Sequence, residues 1–374
     1  MILKIIYGLF ILGVIVFIHE MGHFIAAITS GVKVEAFSIG MGPVLLHKKI
    51  RGVDWRISLF PVGGYCSMKG ENFAESEKNV MEFSSEKDSL YGVSPLKRAF
   101  IAFAGPFSNL ILTFFSFFLI ALIGFSYWSA SNKIILANEV YPQISSPAAN
   151  AGIKTGDIIM QINEKKIEDF SELYSFVSLH PDEDLKIKVL REGKEMTFYV
   201  HSDLDKNTGS GKIGVVSDSS TTIKRQAKTY GFFGSLVQAG KETVSIFNAS
   251  IKGIATLFKG VNVTKAVSGP ASITTMLGDT VQSAFSSDLK TGLSSVLNFI
   301  ALISISLFIM NLLPIPILDG GLILVSIIEM IFRTRISVKI RNRVQYIGLV
   351  FIAFFFIIAM IGDFNYFVRL FHEK

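Results

Sequence analysis

The sequence predicts a polytopic α-helical membrane protein with four transmembrane segments, a membrane-associated β-hairpin and one inserted α+β domain. Three observations lead there. Half of the 374 residues are hydrophobic, with 33 Phe and a mean hydropathy of +0.49. Apolar stretches near the ~20 residues that cross a bilayer run from Ile2 to Ile28, from Ala99 to Trp128, from Val296 to Met310 continuing through Leu322 to Phe332, and from Ile347 to Phe367. Between the second and third lies a long polar stretch whose Lys and Arg nearly balance its Asp and Glu, as in a soluble domain.

The net charge of +6 requires no nucleic-acid partner, because the basic residues sit largely beside the apolar segments, where orientation rules place them. One cysteine, Cys66, allows neither an intrachain disulfide nor a thiolate zinc site, and a packing role is expected for it. Arg333, Arg335, Lys339, Arg341 and Arg343 form a short loop without an acidic residue. The positive-inside rule makes that loop cytoplasmic. Counting back, the large insert lies outside the cytoplasm, the N-terminus is external, and Val14–Phe24 lies toward the cytoplasmic half of the first span.

That stretch, VIVFIHEMGHF, places His19, Glu20 and His23 inside an apolar run. Ionisable groups at membrane depth are costly and mark function. Residues four apart share a helix face, so His19 and His23 can hold one metal ion with Glu20 beside it as general base. Two histidines, one further ligand and an open water position make up a catalytic zinc site. A solvated soluble helix does not fit the surroundings. Nor does a secretory signal peptide, because the run lacks a small-residue cleavage site and continues into Ile25-Ala26-Ala27-Ile28. A metal or proton relay in a transporter remains a competing reading.

After Gly31, Val32 to Lys69 reads as strands. Arg56 to Met68, interrupted by Pro61, Gly63 and Gly64, is too apolar for a free loop and too short to span. It is expected to form a β-hairpin dipping toward the site, against the alternative of an ordinary cytoplasmic hairpin. Gly70 to Ser94 is polar and reads as a peripheral loop. The second span carries Ala104, Gly105, Ser108 and Asn109 among Phe, Ile and Leu. Small residues permit close helix packing, here against the first span, with a supporting hydrogen bond expected from Asn109. Pro106 leaves a backbone carbonyl in need of a donor.

From about Asn132 to Ser217, short hydrophobic runs alternate with turns and one helical stretch, DFSELYSFVSLH. The run SSPAANAGIKTGDIIMQIN resembles the bacterial PDZ pattern. That resemblance implies a domain binding a peptide segment or C-terminus as an added strand. Only one such unit fits, and a mere spacer is the alternative. Ile223 to Phe285 reads as amphipathic helices lying on the membrane surface or packing as a lid, broken at Gly269-Pro270.

In the third segment, NLLPIPILDGG interrupts the helix, because Pro314 and Pro316 lack amide donors. Unwound backbone at membrane depth survives only where it is buried in protein or lines a cavity. Asp319 follows, either as a helix N-cap or as the missing third metal ligand. Paired with HExxH, the ligand reading is preferred.

Together, HEMGH, AGPFSN, the PDZ-like insert and NLLPIPILDGG resemble the site-2 protease family of intramembrane zinc metalloproteases, most closely its bacterial regulator of sigma-E protease branch. The resemblance implies Zn2+ held by His19, His23 and Asp319, with Glu20 as the catalytic carboxylate. It implies that Asn311 holds substrate backbone, and that the hairpin (Arg56, Ile57, Ser58, Leu59, Gly63 and Gly64) offers a strand edge to the unwound substrate. It further implies a multi-pass protein of the bacterial inner membrane that cleaves single-span proteins, such as anti-sigma factors or remnant signal peptides. Its partners would be that substrate, a PDZ-bound peptide and the lipid bilayer, with no nucleic acid. The single PDZ unit departs from the two of well-studied members. The expected organisation is 1–31 first span, 32–95 hairpin and polar loop, 96–130 second span, 131–220 PDZ domain, 221–292 amphipathic helices, 293–332 broken third span, 333–343 basic loop and 344–374 fourth span with tail. The competing function is a non-hydrolytic PDZ-bearing membrane scaffold or metal-handling protein.

Overall fold

A computed structural model describes residues 2–71, 86–263, 269–286 and 288–372. Part of the predicted polar loop, residues 72–85, lies outside the described residues. The chain divides into two compact units, one of Met1–Ile123, Tyr230–Val244 and Gly269–Phe367, the other of Gly124–Thr229, Ser245–Ser268 and Val368–Lys374.

Among the described residues, four helices are long and apolar enough to cross a membrane: Leu3–Ser30, Pro95–Ile123, Leu289–Asn311 and Arg343–Val368. The first unit contains α1 (Ile2–Ser30), β1 (Val34–Ile50), β2 (Val53–Met68), α2 (Pro95–Ile123), the start of α3 (Phe232–Leu257), α4 (Pro270–Ser286), α5 (Leu289–Asn311), α6 (Asp319–Phe332) and α7 (Val338–His372). Glycine sets the closest approaches. A Cβ on Gly8 would lie 2.1 Å from the Thr274 carbonyl oxygen, and one on Gly278 would lie 2.1 Å from that of Lys4, so α1 and α4 touch backbone to backbone. The predicted third span is two helices: α5 carries the crossing length, while α6, 14 residues long, reaches only about 21 Å at 1.5 Å per residue.

β1 and β2 each bend, and together form four arms. Val34–Ile39 pairs on one side with Gly64–Met68. On its other side it pairs with 54–57, where the register numbers rise together from Ala36–Asp54 to Ile39–Ile57. The 54–58 arm is flanked in turn by 44–49. The predicted Arg56–Met68 hairpin is therefore corrected: its two arms do not pair with each other, because Val34–Ile39 lies between them. Phe37 explains the insertion. It is 1 % exposed and packs edge-on against Phe17 and Phe24 of α1, with Trp55 beside it. Burying an aromatic ring of this size supplies the dominant local driving force.

The second unit is α+β. Its five-stranded sheet runs Lys165–Lys166, Ile158–Ile162, Glu183–Arg191, Lys194–Leu204 and Gly211–Lys212 in spatial order. The helix Phe170–Ser178, capped by Asp169, packs its Leu173 and Val177 into a core with Ile159, Ile187 and Val200. Two expectations change here. The second span was expected to reach Trp128, but the helix stops at Ile123, Gly124 takes φ +69°, and Ser126–Ser129 pairs with Ile223–Gln226. Left-handed backbone at Gly124 ends the helix, and the aromatic pair Tyr127-Trp128 suits a strand. Ile223–Gln226, expected within the amphipathic helices, is that strand's partner.

Candidate active site

α1 and α2 meet where each lacks a side chain. A Cβ on Gly22 would sit 2.3 Å from both the Ala104 carbonyl oxygen and Ser108 Oγ. One on Gly105 would sit 2.1 Å from His23 Nε2. The small residues of the second span thus clear the space that the His23 ring fills. His23 is 7 % exposed, and its Nδ1 lies 2.8 Å from the Ile101 carbonyl oxygen. That carbonyl is next to Ala102, whose own intrahelical partner is lost to Pro106. A carbonyl can only accept, so Nδ1 carries a proton, and Nε2 is the nitrogen whose lone pair a neutral ring would offer to a metal.

Asp319 opens α6 after the unwound 312–318 segment. Leu318 occupies the N-cap position without a side-chain cap, which removes the capping reading of Asp319. Its Oδ2 lies 3.3 Å from His19 Nε2 and its Oδ1 lies 3.3 Å from His23 Nε2. The two Nε2 atoms are 3.3 Å apart. Three features fold the segment back to this point. Ile317 takes φ +87°, an outlier for a β-branched residue that costs roughly 1–3 kcal/mol. A Cβ on Gly320 would meet the carbonyl oxygens of Leu313 and Leu312 at 2.2 and 2.4 Å, and one on Gly348 of α7 would meet that of Pro316 at 2.1 Å. α6 is further tied to α2 by a buried ion pair between Arg98 and Glu329.

The donor set fits zinc. A tetrahedral ion with bonds of about 2.0–2.1 Å needs donors about 3.3–3.4 Å apart, which is the observed separation. His19 Nδ1 faces the Asn109 side-chain amide at 3.1 Å, while Asn109 Oδ1 is buried without a partner. Exchanging the amide oxygen and nitrogen by a half-turn gives Nδ1–H its acceptor and leaves Nε2 for the metal, the usual second contact of a ligating histidine. Among the described residues, His19, His23 and Asp319 are the group of donors close enough to share an ion.

Glu20 faces the same cavity, beside Gly64. The cavity, about 560 Å³, is lined by the donor triad, Glu20, Gly63 to Met68, Glu71 and Asn311. Arg56, Ile57, Ser58 and Leu59 do not line it. Arg56 bonds Asp54 at 2.8 Å and the Tyr65 hydroxyl at 3.1 Å, Ser58 bonds Ser38 at 2.9 Å, and Ile57 pairs with both Ile39 and Leu46. Arg56 to Ser58 are internal to the sheet, so the expectation that they offer a free edge is corrected. Of the two outer arms, Gly64–Met68 and Val44–Ile50, the first lines the cavity. Glu71, in the stretch read as a polar loop, carried no sequence signal; burial pushes its carboxyl up to about 7.

Comparison with known proteins identifies the family. The sequence profile of Peptidase family M50 matches residues 7–355. The chain is 32 % identical to a "Putative zinc metalloprotease" of Treponema pallidum, over 99 % of this chain and 100 % of the relative. It is 34 % identical to "Putative zinc metalloprotease Cj1068" of Campylobacter jejuni, over 94 % and 91 % respectively. A Helicobacter pylori protein named "Putative zinc metalloprotease" is 32 % identical over 98 % and 99 %. The chain belongs to peptidase family M50, the site-2 protease family, and is a zinc metalloprotease and an integral membrane protein.

Proposed function

We propose that this M50 peptidase hydrolyses peptide bonds within or near the transmembrane segments of single-span membrane proteins, as in anti-sigma factor release or remnant signal peptide cleavage. One observation carries the reading. Donors from opposite ends of the chain, His19 and His23 on α1 and Asp319 after the break in the third apolar segment, lie 3.3 Å from one another.

His19 and His23 would hold zinc through Nε2, and Asp319 through its carboxylate. Zinc bound there lowers the pKa of water toward about 7 and polarises a carbonyl oxygen. Glu20 takes the water's proton and hands it to the leaving amine nitrogen, so the carboxylate starts and ends ionised. A helical substrate hides its carbonyls in its own hydrogen bonds and must unwind first. Asn311 and the strand edge from Gly63 and Gly64 onward receive the freed backbone groups. Arg56 to Ser58 support that edge from within the sheet.

Residues 131–220, within the second unit, are assigned as a PDZ domain that takes a peptide segment or C-terminus. It is placed outside the cytoplasm of a bacterial inner membrane, with the reaction centre toward the cytoplasmic half. The scaffold or metal-handling alternative fits less well. A structural zinc is closed by four protein ligands, whereas three donors gather among the described residues, beside an open cavity.

The test is Glu20→Gln. Cleavage of a membrane-spanning reporter should fall at least ~10²-fold, the lower range for losing a general base, while zinc content stays at wild-type level. Retained cleavage would end the assignment.

A further inference from the structure

Two carboxylates stand beside the free edge of one strand. The Gly64–Met68 arm pairs on one side with Val34–Ile39, and its other side borders the active-site cavity. Amides two residues apart along a strand point to the same side. Glu20 stands beside this arm, its Cγ 3.3 Å from where a Cβ on Gly64 would lie. The Met68 amide, next in line on that edge, donates to Glu71 Oε2 at 2.9 Å. A side chain from just beyond the strand thus already holds the donor adjacent to the reaction centre.

The contact is held on several sides. Gly70 turns the chain at φ +80°, and the Glu71 amide donates back to the Met68 carbonyl at 3.1 Å. The Lys69 amide donates to Lys33 at 3.0 Å, and the Lys69 carbonyl accepts from Leu90 at 2.9 Å. The acidic residues lining the cavity are Glu20, Glu71 and Asp319. Proton transfer and metal holding use the first and third, which leaves Glu71.

We propose that Glu71 is the register stop of the substrate strand. By occupying the Met68 amide it ends the usable edge, so an extended peptide pairs alongside Gly64 and Cys66 and cannot slide further. The stop thereby selects which peptide bond lies opposite His19, His23 and Asp319. This rests on the reading that substrate adds to this edge as a strand. Same-side backbone groups recur every second residue, so a slipped substrate moves in steps of two residues, about 6.8 Å.

The experiment maps product termini by mass spectrometry, using full-length protein in proteoliposomes and a single-span reporter. Wild type and Glu71→Gln, which keeps an acceptor oxygen, should cut at one bond. Glu71→Ala and Glu71→Leu free the Met68 amide and should add a second product displaced by two residues. A stabilising contact alone would reduce all products together without moving the bond. If Glu71→Ala does not accumulate, Glu71→Leu, similar in size but without an acceptor, carries the comparison. A cut confined to the wild-type bond in whichever of these two accumulates overturns the register stop. Synthetic single-span peptides, each N-methylated at one backbone position, separate this from the underlying reading. Strand addition predicts loss of cleavage at every second position. No alternation removes the strand-addition reading itself, whereas alternation with an unmoved cut in the Glu71 variants removes the stop alone.

Discussion

His23 and Gly105 share one space: the imidazole Nε2 lies 2.1 Å from where a Cβ on residue 105 would be. The glycine of the second apolar helix is therefore part of the metal centre's construction, although it offers no donor. Gly105→Ala should displace the ring and lower zinc affinity about 10–100-fold, as when a ligand's orienting neighbour is lost. Zinc per chain after dialysis against a graded chelator measures this. Gly240→Ala, where no atom lies within 4 Å of the added carbon, should leave zinc unchanged.

Asn109 gives a test of orientation. If its oxygen accepts from His19 Nδ1–H, Asn109→Asp keeps an acceptor and should hold zinc within a few-fold of wild type. Asn109→Ala should lose about 10–100-fold. Equal damage from both changes would mean that the amide nitrogen, 3.1 Å away as placed, is the true neighbour.

Arg98 and Glu329 form an ion pair with side chains 3 % and 5 % exposed. Removing one partner strands a buried charge, which costs about 3–5 kcal/mol. Arg98→Met or Glu329→Leu should lower the unfolding midpoint in detergent, and the double change should recover most of the loss. Because α6 begins with Asp319, the single variants should also release zinc more readily.

In the second unit, Arg191 holds Asp157 through bonds of 2.8 and 2.7 Å. Burial raises the Asp157 carboxyl, but the Arg191 fork and the Lys154 amide outweigh it and set it below the usual range. A depressed carboxyl stabilises the fold above its unfolded pKa and loses that contribution as pH falls through the folded value. Amide protection factors in Ile158–Ile162 and Glu183–Arg191 should therefore fall below about pH 4. Arg191→Gln should lower protection at pH 7, with its difference from wild type narrowing as pH falls below about 4 and Asp157 takes a proton. A constant difference would remove Asp157 as the cause.

Much was legible because it is local. The crossing helices follow from run length, and His19 and His23 face one way because a helix repeats every 3.6 residues. Pro314 and Pro316 announce broken backbone before Asp319. The strands of the second unit follow from alternation and turn residues. The failures share a different cause. Placing Val34–Ile39 between the arms of Arg56–Met68 needs the burial of Phe37 against Phe17 and Phe24, a contact between distant segments that leaves no periodic trace. Ser126–Ser129 looked like the end of a span because Phe125, Tyr127 and Trp128 are apolar, and only its partner Ile223–Gln226 makes it a strand.

The sequence by itself determined the apolar spans, the paired imidazoles with their neighbouring carboxylate, and the unwound stretch that carries Asp319. Each depends on residue type and spacing within one or two turns of chain. Tertiary structure alone decided that Asp319 reaches both histidines, that Gly105 makes room for His23, and that Gly64–Met68 and not Arg56–Ser58 is the outer arm beside the cavity. These depend on how closely separate backbones approach, which is set by packing across the molecule.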